Sequence, residues 1–541
     1  MMNRFAPALV LGALFALSAS AQSMTPDQML DEAIAHESTL LSVLQARTPV
    51  AETYIQELAP DADFGTVPTT DHYFLGKVDL SHGVDETSYL SKASSGGSRL
   101  DLFARFLTIR YLPKGFAQMM LLDGGTFDRN HYEFQFLRRE FLGDVRTLVF
   151  AVTPLKSAGR GHFIGNIWIE DRGCNVVRFN GTYSGSSSGN MYMHFDSWRI
   201  NAGPDLWLPY EVYSEESQMA DFLKIHKAHF KALTRFWGYT APEERAEELT
   251  NLTVKTGDVE DKSPQVADPS PVESLRAWQR QAEDNILDRL ERAGLIARAG
   301  GVDKVLDTVV NNLEVTNNLN IQPEARVRVL LTTPLESFTI GHTIVISRGM
   351  LDTLPDEASL AAILAHELAH IALGHTTSTD FAFADRLRFD DEKIVEHFKL
   401  ARSPQEEEGA NARAVEILQK SPYKDKLAEA GLFLKALGSE ATSLPSLTHP
   451  LFGDKLVAGH DVTRMAALME TAPQLQTERV DQIAALPLGS RTKLDPWTDE
   501  LEMIAMHNVP LVSAKEKLPF QITPVFLHLS YINSQDQVAA R

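Results

Sequence analysis

The chain has 541 residues, with 51 Lys and Arg against 72 Asp and Glu and a formal net charge of -21. So acidic a chain, without a basic run, argues against a nucleic-acid or anionic membrane surface as partner, since both recruit clustered cations. Cys174 is the single cysteine, which excludes an intrachain disulfide and a Cys-rich zinc site.

The N-terminus reads as an export signal. Arg4 supplies a short positive region, residues 5–17 are apolar, and Ser18-Ala19-Ser20-Ala21 ends in a small-x-small pattern. A cleaved signal peptide over 1–21 is expected, with a periplasmic or secreted mature chain. No Cys follows the apolar stretch, which argues against lipoprotein processing. No later segment approaches about 18 uninterrupted apolar residues, so no transmembrane span is expected in the mature chain.

Residues 25–58 carry Met29, Ala33, Leu40 and Leu44 at helical spacing. From about 70 to 238 the pattern alternates, as in His131-Tyr132-Glu133-Phe134-Gln135-Phe136 and Thr147-Leu148-Val149-Phe150-Ala151-Val152. Clusters of Gly, Asn, Asp and Ser separate these runs, notably at 184–190, which predicts an antiparallel sheet with hairpin turns. Residues 22–245 are thus expected to form a β-rich N-terminal domain. One helix followed by a long meander resembles the curved-sheet domains of bacterial lipoprotein-sorting proteins, with another half-barrel or a sandwich as the alternative. The polar, proline-bearing stretch 246–272 is expected to be a linker.

A mainly helical domain is expected over 273–475. It has helices over 272–318, 357–375, 404–419 and 424–437, and short strands at 327–331 and 343–347. Residues 476–541 form a C-terminal extension with a strand expected at 520–527. The fold class is α+β, multidomain.

The chemistry lies in His366-Glu367-Leu368-Ala369-His370. Residues i and i+4 of a helix share a face, so two imidazoles can reach one cation, and imidazole suits Zn²⁺. Glu367 is displaced about 100° around the axis. There it can act as general base on water rather than as a ligand. Leu360, Ile363, Leu364, Leu368 and Ile371 predict a buried helix, in which unligated polar groups are costly. A third protein ligand is needed. Thr376 stands where a third His six residues past the second would be, so that class is excluded. His375 is expected at the surface or behind a ligand. The remaining class takes Glu from a later helix, with Glu392, Glu396, Glu406, Glu407 and Glu408 as candidates. Ser403-Pro404-Gln405-Glu406 looks like a helix start, after which Glu407, Asn411 and Ala414 share a face.

Further residues carry a family resemblance. Ile344-Val345-Ile346-Ser347-Arg348-Gly349-Met350-Leu351, the run into the zinc motif, Glu407-Glu408-Gly409-Ala410-Asn411 and Thr448-His449-Pro450 are similar to the zinc metallopeptidases of the CAAX-prenyl-protease and HtpX type (metallopeptidase family forty-eight). The resemblance implies one Zn²⁺ per chain held by His366, His370 and Glu407, with Glu367 as base. It implies Asn411, in place of the family's Asp, supporting a ligand from behind, and His449 steadying the oxyanion or regulating access. It also implies an edge strand at Thr343, Ile344, Val345, Ile346 and Ser347, along which an extended polypeptide substrate pairs. Glu336-Ser337-Phe338 departs from the family's Asn-Ala-Phe. The basic residue that follows its His-Pro pair is open here between Lys455 and Arg464. Three readings compete: an endopeptidase acting on misfolded or unfolded envelope proteins, a zinc-holding but inactive or gated protein-binding module, and a lipid or lipoprotein carrier with an accessory peptidase unit.

Overall fold

A computed structural model describes residues 24–62, 64–90, 111–185, 193–220, 227–239, 271–376, 382, 390, 393–476, 479, 485–489, 491–504 and 519–532. The expected signal peptide, most of the expected linker and Glu392 lie outside the described residues.

Helix α1 (Pro26–Gln45) opens on a capping box between Thr25 and Gln28, with Pro26 in the first turn. The expected helix over 25–58 ends here. Pro49 and the restriction it imposes on Thr48 disfavour helix, and the chain re-emerges as strand β1 (Val50–Asp61). The four-residue spacing of Val50, Tyr54 and Leu58 mimics a helix. The strand is instead buried over most of its length between two partners.

β2 (Gly65–Asp79), β3 (Asp85–Ser88) and the short helix α2 (Pro113–Gln118) follow. A meander then runs through β4 (Tyr132–Leu142), β5 (Val145–Pro154), β6 (Phe163–Glu170), β7 (Val176–Tyr183), β8 (Phe195–Gly203), β9 (Leu206–Ala220) and β10 (Lys227–Trp237). β1 closes onto β10, giving one ten-stranded antiparallel sheet ordered β3-β2-β1-β10-β9-β8-β7-β6-β5-β4. One face buries Ile55, Phe150, Phe163, Phe179 and Phe236 with residues of α1 and α2. The other contributes Tyr54, Trp198, Tyr210 and Trp237 to a core shared with the helical region. The sheet is therefore packed on its second face by the domain that follows it.

That region comprises α3 (Pro271–Arg292), α4 (Gly301–Asn317), β11 (Arg326–Leu330), β12 (Ser337–Ile340), β13 (Thr343–Ser347), α5 (Arg348–Thr353), α6 (Glu357–Ala372), α7 (Ile394–His397), α8 (Pro404–Gln419) and α9 (Leu427–Glu440). The strand order is β11-β13-β12. β13 pairs in parallel with β11 and antiparallel with β12. The expected edge strand 343–347 is therefore central, with its backbone groups engaged on both sides, and β11 and β12 are the two edges. Together the large sheet and the helical region form an α+β, multidomain fold.

No strand forms over 520–527. Ile522 makes one isolated bridge with Leu488. The tail instead lies across the large sheet: Phe520 O and Ile522 N both bond the buried Gln56 side chain, and Tyr531 Oη donates to Glu170.

Candidate active site

Helix α6 begins where the Asp356 carboxylate accepts the Ser359 N–H at 2.8 Å. It is sunk among α4, α8, α9 and β12, so His366, Glu367 and His370 are each only 1% exposed. Helix α8 begins on a reciprocal cap: Ser403 accepts from Glu406 N, and the Glu406 carboxylate accepts from Ser403 N. That fixes Glu406 as a cap and turns Glu407 towards α6. Glu396 and Glu408 are exposed.

His366 Nε2, His370 Nε2 and a Glu407 carboxylate oxygen lie within 4.8 Å of one another. The ring nitrogens are 3.1 Å apart, and they lie 3.4 and 3.2 Å from the Glu407 oxygens. Ligand atoms about 2.0–2.1 Å from a tetrahedral zinc stand roughly 3.3–3.4 Å from each other. Two buried ring nitrogens face each other beside a carboxylate, so the donor set and its spacing fit that ion.

Behind the cluster, His370 Nδ1 meets His375 Nδ1 at 2.9 Å. His375, five residues on, thus orients the ring of His370 without joining the cluster. The buried His366 Nδ1 has no hydrogen-bond partner among the described residues.

Glu367 faces two donors. Ser337 Oγ on β12 donates to Glu367 Oε1 at 2.7 Å, and Arg464 Nη1 donates to the same oxygen at 2.9 Å. Arg464 also sends Nε to Glu407 Oε2 at 3.1 Å and Nη2 to Glu407 Oε1 at 3.3 Å. Its Nη1 reaches the Ser337 carbonyl at 3.1 Å. One guanidinium, 3% exposed, therefore links the candidate base, the third member of the cluster and the edge strand. Of the two cations left open by the sequence, Arg464 stands at the site and Lys455 is exposed.

The electrostatics follow. Burial raises the Glu407 carboxyl, but the two imidazoles and Arg464 outweigh it and hold it far below the usual range. Burial and then Arg464 push the His366 imidazole down, which favours the neutral form that a metal requires.

Asn411 does not reach a histidine of the cluster as expected. Its Oδ1 accepts from Met465 N at 2.8 Å and its Nδ2 donates to Thr463 O at 3.2 Å. His449 is exposed and is joined to the cluster by no hydrogen bond or ion pair among the described residues. Its loop is anchored on both sides. The Asp71 carboxylate, from β2, accepts from Ser446 N at 2.7 Å and Leu447 N at 2.8 Å. The Glu336 carboxylate accepts from Leu451, Phe452 and Gly453 N–H groups at 3.0 to 3.3 Å. Ser337 and Glu336 were visible to sequence reasoning only as a departure from a family string.

Residues 303–387 match the model of peptidase family M48. This segment is similar to peptidase family M48. It contains His366, Glu367 and His370 but stops short of Glu407 and Arg464, whose places rest on the geometry above. M48 peptidases are zinc-dependent hydrolases of peptide bonds, and the His-His-Glu group accords with that chemistry. No curated protein matches the chain. Among solved structures, a LolA superfamily protein from Nitrosomonas europaea is similar over 40% of this chain and 92% of its own, at 10% identity and a TM-score of 0.19. No helix of the described residues is long and apolar enough to cross a membrane.

Proposed function

We propose that the protein is an exported zinc-dependent metalloendopeptidase that hydrolyses misfolded or unfolded envelope proteins. The observation that carries this reading is the cluster of buried His366 and His370 with part-buried Glu407, and the buried carboxylate of Glu367 beside it. A zinc ion bound there supplies Lewis acidity, making water easier to deprotonate and a peptide carbonyl more electrophilic. Glu367 takes the proton from water and returns it to the leaving amine. Ser337 and Arg464 hold its carboxylate in place through the bonds to Oε1. The substrate strand pairs with β12, the edge of the three-stranded sheet that carries Ser337 beside Glu367. Export rests on the N-terminal sequence pattern, and envelope substrates follow from that location.

A specific observation supports a gated variant of this reading. Glu367 is 1% exposed, and the Ser337 carbonyl on the edge strand is already taken by Arg464. A substrate strand must displace that bond.

The test is digestion of casein by the purified chain beside Glu367→Gln, with zinc measured in both. Cleavage by the parent alone, with zinc in both, supports the peptidase. No cleavage by either, with one zinc per chain, transfers support to a gated protein-binding module.

A further inference from the structure

Arg464 sits between two residues held by one side chain. Asn411 Oδ1 accepts the Met465 N–H at 2.8 Å, and Asn411 Nδ2 donates to the Thr463 carbonyl at 3.2 Å. Met465 has φ of 55°, a left-handed conformation that costs a non-glycine residue about 1–2 kcal/mol. It therefore needs an external partner to hold it. Asn411 lies one turn after Glu407 on α8, so a single helix carries both the cluster carboxylate and the clamp on the arginine that bonds it.

The chemistry of the clamp explains why Asn stands here. The carboxamide has one acceptor and one donor face, matching one backbone N–H and one backbone C=O. An aspartate keeps the first bond but sets a carboxylate oxygen against the Thr463 carbonyl, where no proton is available.

We infer that Asn411 is a positioning residue, whose amide fixes the Thr463–Met465 turn so that Arg464 bridges Glu367 and Glu407. This rests on the peptidase reading above for its effect on turnover. The placement itself does not.

The test compares the full chain with Asn411→Asp, Arg464→Lys and the double variant. Casein-peptide kinetics, zinc content and the visible spectrum of the cobalt(II)-loaded protein are recorded for each. Asn411→Asp is expected to lower kcat about tenfold, a loss typical of residues that act behind a metal ligand, with KM within twofold and one zinc retained. Its cobalt spectrum is expected to shift in the same sense as that of Arg464→Lys, and the double variant to match Arg464→Lys alone. Additive losses in the double variant, an unshifted cobalt spectrum, or zinc lost in step with activity would overturn the inference. If the parent cleaves nothing, the peptidase reading fails while the cobalt spectra still decide the placement. A parent that takes up no cobalt overturns both.

Discussion

Arg464 Nη1 lies 2.9 Å from Glu367 Oε1 while its Nε lies 3.1 Å from Glu407 Oε2. One cation thus faces two carboxylates at once and offsets their mutual repulsion. Removing it leaves Glu367 buried with Ser337 as its remaining hydrogen-bond donor among the described residues. Arg464→Met is expected to cost on the order of 3–5 kcal/mol of stability, the usual penalty for orphaning one member of a buried ion pair. It should also lower kcat by roughly 100-fold through loss of a preorganised charge. Denaturant unfolding and steady-state kinetics check both. A variant with parental kcat would show the bridge to be structural only.

His375 is expected to act on metal affinity. Its Nδ1 faces His370 Nδ1 at 2.9 Å, and outer hydrogen bonds of this kind are worth about 10–100-fold in metal affinity or activity. His375→Ala should weaken zinc binding by that factor in competition with a chelator, with unfolding temperature nearly unchanged because His375 is only partly buried. Unaltered zinc affinity would assign His375 no part in the site.

Glu336 makes stability depend on pH. Burial pushes its carboxyl up to about 7 from an ordinary 4.5, against the opposing pull of the Phe452, Gly453 and Leu451 N–H groups. The native protein therefore binds this proton more tightly than the unfolded chain does. The stabilisation is fully present below pH 4.5 and is lost as pH rises through 7. At 1.36 kcal/mol per unit, the change is about 3 kcal/mol. Glu336→Gln should flatten the stability profile between pH 4.5 and 7.5 by roughly that amount relative to the parent. Parallel profiles for the two proteins would contradict the assignment.

Legibility in the sequence followed the range of the forces. Helix α8 is read to the residue because Ser403, Pro404 and Glu406 form a local cap. The spacing of His366 and His370 is equally local. β1 was misread because its partners, β2 and β10, are set by tertiary pairing, with Val50 opposite Trp237. β12 has four residues, too few to show a period, so nothing in the sequence opposes the edge position that the family resemblance implies for β13. The partners of Asn411 lie 52 and 54 residues away on a short turn, where no spacing rule could point to them. Arg464, which reaches Glu367 across 97 residues, is legible in the sequence only as one of two cations downstream of His449-Pro450.

In the proposed function, His366, His370 and Glu407 hold one zinc and peptide hydrolysis depends on it. The most direct measurement is zinc per chain, by elemental analysis after dialysis, on the parent, Glu367→Gln and Glu407→Ala, with casein cleavage on the same samples. About one zinc is expected in the parent and in Glu367→Gln, little in Glu407→Ala, and cleavage by the parent alone. Full zinc and full cleavage in Glu407→Ala would contradict it.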